Sequence, residues 1–364
     1  MKSVFLYLFM GIILIVPSLA LSQLSTCGNV YNLLNTWEGR DNGPGQAVKR
    51  QFDIAADLGL AYQYGERWYA AAQFQYANGG NLLGFVGENE LEVDIHGKLN
   101  FKPNWSLKMG VFDLPFGGEH CGFLGGEESV TSGIMLNSLL YEALAFGAHV
   151  GSVTNLGMLL QVKSAIGFVE AGMFNGMLEG DENSDQEFSW ILRYNSPLLA
   201  NTLQFAFSGL YSKDSTHYAA NATHTHFSAI LLESGIPFWR KWAASAYWGY
   251  LFYSDNNPAT QDRVEVMKLE LSRQFSEAVF SLRYSLWRPE GSGTATHPHI
   301  PAIGFMRSGG QSWGENYWKV QRWQAGLQYH LGGNVHLLLE AFLDDFDSGS
   351  RMVYGSVSGI VLSL

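Results

Sequence analysis

The chain has 364 residues and a formal net charge of −11, a balance that repels a phosphate backbone and argues against nucleic acid as a partner. Aromatic residues make up 14% of it and charged residues only 15%, with 41 glycines and 10 prolines. Beyond the N-terminal segment no run of eighteen or more apolar residues occurs, which excludes a membrane-spanning helix, and the composition points to an all-β chain whose surface is not fully wetted.

The start reads as an export signal. Met1 and Lys2 precede the apolar run Val4–Val16, and Pro17 to Ser22 supply the small residues of a cleavage site. Residues 1–22 are the expected signal peptide, and 23–364 a single mature domain. Leu24-Ser25-Thr26-Cys27 also resembles a lipobox, although Thr26 stands where that motif takes a smaller residue. Cys27 and Cys121 are two thiols in an oxidising compartment, and their spacing leaves pairing open.

Strict alternation organises the rest. Phe52, Ile54, Ala56, Leu58, Leu60 and Tyr62 share one face of a strand, and Asp53, Ala55, Asp57, Gly59 and Ala61 the other. After a turn at Tyr64-Gly65-Glu66 the pattern resumes with Trp68, Ala70, Ala72, Phe74 and Tyr76. The next strand sets Leu91, Val93, Ile95 and Leu99 against Glu90, Glu92, Asp94, His96 and Lys98. Lys102-Pro103-Asn104 then turns the chain into Trp105, Leu107, Met109 and Val111.

Further strands are predicted at 157–164, 168–175, 187–195, 202–211, 225–233, 243–253, 264–273, 278–287, 318–330, 335–342 and 351–364. Short turns, such as 63–66, 102–104 and 234–242, alternate with longer connections at 77–88, 115–156, 176–186, 212–224, 254–263, 288–317 and 343–350. That asymmetry belongs to up-and-down outer-membrane barrels. Because the strand ending at Tyr62 runs into a short turn, one strand must precede it, and Asn29–Trp37 is the place for it. The expected fold is therefore an all-β, transmembrane, antiparallel barrel of about sixteen strands. Aromatics beside the short turns (Tyr62, Trp68, Phe101, Trp105, Trp239, Trp242 and Phe275) supply an interfacial girdle. A soluble sandwich would expose a more charged surface, and a propeller would show a repeat near forty residues; neither feature is present.

Leu107–Glu119 (LKMGVFDLPFGGE) is similar to the G-x-F-x-x-P-F-G-x-E strand end of the phosphate-selective porins, and Asn155–Lys163 followed by Gly172–Gly176 (GMFNG) resembles that family's paired strands. The order matches over about residues 50–211. The resemblance implies a trimeric sixteen-stranded pore whose third long loop, here 115–156, folds inward and narrows it. Pro115 would end the ladder by removing a donor, and the glycines after it would let the chain bend off the wall.

Charge on the pore wall should set selectivity. Between Met109 and Val162 there is no Lys or Arg, whereas Asp113, Glu119, Glu127, Glu128 and Glu142 lie there as constriction candidates. The inward strand faces are expected to present acids Asp53, Asp57, Glu90, Glu92, Asp94, Glu170, Glu270 and Glu340 with bases Lys98, Lys108, Arg193, Lys268, Arg283 and Arg322. Acids outnumber bases, so the expectation is a general pore for small hydrophilic solutes, neutral or mildly cation-preferring, rather than the phosphate-selective one the resemblance implies. Non-channel adhesin or structural barrels and outer-membrane hydrolases are the rival classes, but no local signature joins a nucleophile, base and orienting group. His217, His224 and His226, with His297 and His299, read as solvated loop histidines, so neither a metal site nor a cofactor is expected. The chain ends on Leu364, where outer-membrane barrels usually end on an aromatic.

Overall fold

A computed structural model describes residues 22–41, 46–77, 90–116, 154–175, 188–197, 203–212, 216–218, 222–224, 226–238, 241–254, 262–290, 319–346 and 351–363. These form β1 (Ser22–Asp41), β2 (Gln46–Tyr64), β3 (Trp68–Ala77), β4 (Glu90–Lys102), β5 (Trp105–Asp113), β6 (Thr154–Ser164), β7 (Gly167–Asn175), β8 (Phe188–Asn195) and β9 (Gln204–Ser212). Then follow β10 (Thr216–Tyr218), β11 (Ala222–His224), β12 (His226–Phe238), β13 (Trp242–Ser254), β14 (Asp262–Gln274), β15 (Ala278–Glu290), β16 (Val320–Gly332), β17 (Val335–Phe346) and β18 (Arg351–Ser363).

Sixteen of these strands close into one antiparallel barrel, each paired with its sequence neighbours apart from the short β10–β11 hairpin, which stands as a separate sheet. The seam is made by β1, which runs along β18 from Asn29↔Ser363 to Asp41↔Arg351 and along β2 from Ser22↔Tyr64 to Arg40↔Gln46. Closure leaves the barrel without a free edge strand, the condition for crossing hydrocarbon with strands.

The strand count matches the alternation, but several ends move. Strand β1 reaches well beyond 29–37, β12 continues to Phe238 through the expected turn, β6 begins at Thr154, and β17 runs on to Phe346. Backbone pairing prolongs a ladder after the hydrophobic alternation fades, so pattern alone stops a strand early. The β10–β11 hairpin lies in a segment expected to be loop. Residues 1–21 and 117–153, which hold all but the last residue of the expected signal and most of the constriction loop, lie outside the described residues.

The two faces of the wall are inverted relative to a soluble protein. Leu58, Leu60, Trp68, Met109, Trp190, Leu232, Trp248, Leu269, Leu282, Trp323 and Ile360 are exposed on the outside, while Glu170, Arg193, Glu233, Lys268, Glu270, Arg283, Arg322 and Glu340 are buried on the inside. An outward apolar band and an inward polar lining are what a bilayer and a barrel interior respectively select.

Candidate pore interior

The inner face of β14–β17 carries a ladder of charges. Register sets Glu270 against Arg283, and Lys268, Ser285, Arg322 and Asp344 in one row across four strands. Arg283 donates from Nε to Glu270 Oε2 at 3.0 Å, and its Nη2 lies 2.9 Å from the same oxygen. Lys268 Nζ stands 3.6 Å from that oxygen and 5.2 Å from the Tyr247 ring centroid. Arg322 donates twice to Asp344, Nε to Oδ1 at 2.6 Å and Nη2 to Oδ2 at 2.8 Å, and Gln324 Nε2 donates to Glu340 Oε1 at 3.0 Å. Withdrawn from water, such charges are tolerable only when paired with good geometry.

A second polar run crosses β5–β8. Ser106 Oγ donates to Gln161 Oε1 at 3.1 Å, Gln161 Nε2 donates to Glu170 Oε1 at 2.8 Å, and Glu170 faces Arg193 across the ladder. On β4 and β5, Lys98 and Lys108 sit directly opposite one another. Lys108 Nζ rests 4.3 Å from the centroid of Phe112, whose ring meets His96 at 5.9 Å and Phe174 at 5.4 Å, both edge-on.

Glycine makes room for this aromatic group. A Cβ on Gly157 would come within 2.3 Å of Phe174 Cδ1, and one on Gly110, whose φ is +129°, within 2.2 Å of the Ile95 carbonyl oxygen. Past the end of β5 come buried Leu114, Pro115 and Phe116, and the Phe116 N–H donates to the Leu114 carbonyl at 2.8 Å. That three-residue turn is centred on Pro115, whose fixed φ suits it.

Between the polar runs an apolar band crosses the inner face. Leu159, Ile191, Leu210, Ala229, Leu251 and Val264 fall in one row from β6 to β14, with Leu231, Val266 and Trp287 in the row beside it, and all are buried. Period-two reading of charges gave no sign of this bed. Glu233 and Asp344, both inward and buried, were also missed, because one fell at the last residue of an underestimated strand and the other in an expected loop.

Of the candidates, Asp94, Lys98, Lys108, Arg193, Lys268, Glu270, Arg283 and Arg322 sit on inner-face positions of their strands. Asp53 and Asp57 lie on β2, Glu90 and Glu92 on β4, and Asp113 ends β5, with side chains outside the described residues. Glu119, Glu127, Glu128 and Glu142 fall in the segment that is not described. Cys27 pairs with Gly59 in the β1–β2 ladder, and Cys121 is not among the described residues. Within the described residues no three His, Cys, Asp or Glu side chains gather as metal ligands.

The sequence matches no family model and no curated protein. Solved structures with the same architecture include OprB of Pseudomonas putida, at TM-score 0.67 and 9% identity over 94% of either chain. An anion-selective porin from Comamonas acidovorans aligns at TM-score 0.60 and 10% identity over 94% of this chain and all of its own, 100%. The trimer form of OmpT from Vibrio cholerae aligns at 0.57 and 10%, over 94% of this chain and 99% of that one. At such identities the likeness concerns the fold, which is that of the outer-membrane porin barrels.

Proposed function

We propose that the mature chain, 23–364, is exported by way of its signal peptide and forms a water-filled pore in the outer membrane through which small hydrophilic solutes diffuse passively, without a catalytic step. The observation that carries this is the closed barrel of sixteen strands with charged side chains on its inner face and apolar ones on its outer face. Trimeric assembly is supported by the family resemblance and by the trimer form of the Vibrio cholerae OmpT barrel.

In this reading the third long loop, 115–156, is the constriction that the family resemblance implies. The buried inner bed around Leu251, Val266 and Trp287 needs an apolar cover in a wetted lumen. That segment carries Phe123, Leu124, Ile134, Leu139, Leu140 and Leu144 to supply it, and it springs from the buried turn at Leu114–Phe116. It would bring Glu119, Glu127, Glu128 and Glu142 to a wall whose own charges are largely paired, tilting the pore toward cations. The opposite preference has one observation in its favour, the juxtaposed Lys98 and Lys108.

Planar-bilayer recording of the purified protein tests the proposal. Stepwise conductance is expected; a folded protein that gives none would overturn it. Reversal potential in a salt gradient then reads selectivity: Glu127→Gln with Glu128→Gln should reduce cation preference, and a strong anion preference in the unsubstituted protein would reject the charge assignment.

A further inference from the structure

Two histidines meet at one mouth of the barrel. Strand β16 turns Arg322 and Gln324 inward at every second residue, and β17 does the same with Glu340 and Leu338; all four are buried. The same period of two carries the inner face on to His330 and His336. Register sets them directly opposite one another, with ring centroids 4.9 Å apart and ring planes at 45°. Among the described residues neither imidazole takes part in a hydrogen bond, and the ring nitrogens are left to other partners.

The backbone beneath the pair is fixed. Strands β16 and β17 join through Gly333 and Asn334, with Gly332 at φ +117° and Gly333 at φ +59°. Pairing skips Leu331 between His330 and Gly332, a bulge of the kind that re-aims a neighbouring side chain. On one flank the His330 N–H donates to the Glu277 carbonyl at 2.7 Å, and on the other the Ser363 N–H donates to the Asn334 carbonyl at 2.8 Å. Two ligands held this way need little ordering when an ion binds.

The surroundings leave room on the water side. His330 is exposed and His336 half-buried. Val361 of β18 faces His336, Gln328 and Leu338 make the next inward row, and β15 begins only at Ala278, opposite Tyr329. The Glu277 carboxylate accepts the Tyr329 hydroxyl at 2.9 Å, and Tyr329 lies on the outward parity. The donor set is therefore two imidazoles, and water supplies the rest.

Neutral imidazole binds a late first-row dication at about 2.0–2.1 Å, which puts the ion about 3.1 Å from each ring centroid. Centroids 4.9 Å apart then subtend a nitrogen–metal–nitrogen angle of about 100°. That falls between the roughly 90° of neighbouring positions in a tetragonal site and the roughly 109° of a tetrahedral one. Magnesium and calcium take oxygen ligands instead.

We propose that His330 and His336 form a two-imidazole site for one divalent late transition ion, copper, nickel or zinc, on the inner face of the barrel. The site lies at the short-turn end of β16 and β17, the end that faces the periplasm in barrels of this build. It rests on the register of these two strands and not on conduction. Copper is held tightest of the three.

Calorimetric titration of Cu²⁺ into the folded, detergent-solubilised full chain reads the site. The chain carries 10 histidines, so the measurement is a difference between variants. His330→Ala and His336→Ala are each expected to lose the same single equivalent of Cu²⁺, the double variant to lose no more, and excess Mg²⁺ to displace none of it. The electron paramagnetic resonance signal that disappears with either substitution should carry hyperfine structure from two nitrogens. Unchanged stoichiometry in either single variant would overturn the proposal. Two equivalents lost in the double variant would mean that the imidazoles act independently, and displacement by Mg²⁺ would assign the ion to oxygen ligands; either result rejects it. Heat-modifiable gel mobility checks that each variant has folded, and His330→Gln and His336→Gln, which keep a polar side chain of similar length, replace any alanine variant that has not.

Discussion

Arg322 on β16 and Asp344 on β17 meet through two parallel hydrogen bonds, and neither side chain keeps appreciable contact with solvent. The pair ties two neighbouring strands on the inner face of the barrel. Arg322→Ala strands a buried carboxylate and is expected to cost about 3–5 kcal/mol. Replacing both partners, Arg322→Met with Asp344→Leu, should cost far less, since no charge is then left unpaired. Urea unfolding from lipid vesicles, followed by tryptophan fluorescence, measures both; equal losses in the single and the double variant would deny the pair this role.

Lys98 and Lys108 are directly opposed on the inner face, an arrangement that costs stability in a sheet. Lys108→Glu turns repulsion into attraction and should stabilise the barrel by up to about 1 kcal/mol, while moving the reversal potential toward cations. A gain in stability with an unmoved potential would mean that these lysines do not meet the permeating ions.

Gly157 lies under the Phe174 ring, and an added Cβ would approach Cδ1 to 2.3 Å and the Met173 carbonyl oxygen to 2.7 Å. Gly157→Ala is expected to destabilise by about 1–3 kcal/mol through overpacking. Gly97→Ala is the control, because its Cβ would find only the Tyr69 carbonyl oxygen at 3.8 Å. Comparing urea midpoints of the two variants settles the assignment; equal midpoints would show that Phe174 moves aside freely.

The barrel was legible because closure forces each strand to alternate, and Leu91 to Leu99 against Glu90 to Lys98 shows it plainly. What the pattern hid follows from the same physics. Val264, Val266 and Trp287 point inward and are apolar, so a rule that equates apolar with outward passes over them. Glu265 and Arg288 point outward and are charged, and a search for inward charges passes over those too. Partner identity was hidden for another reason: Lys268 and Glu270 occupy inward positions of β14, but only register reveals Arg283 as the group they converge with.

Trp287 connects the apolar bed to the pore proposal. It faces inward beside Val266 and is wholly buried. If the segment 117–153 rests on this bed, Trp287→Ala removes part of its support, at a cost of about 3–5 kcal/mol, and the constriction loosens. Single-channel conductance and current noise should then both rise, and reversal potential should drift toward neutrality as Glu127 and Glu128 leave the wall. Trp323→Ala, on the outer face of the next strand, should leave all three quantities unchanged. If Trp287→Ala unsettles the barrel in urea yet leaves conductance, noise and selectivity as they were, the bed is covered by something other than the constriction, and the inward loop must be abandoned.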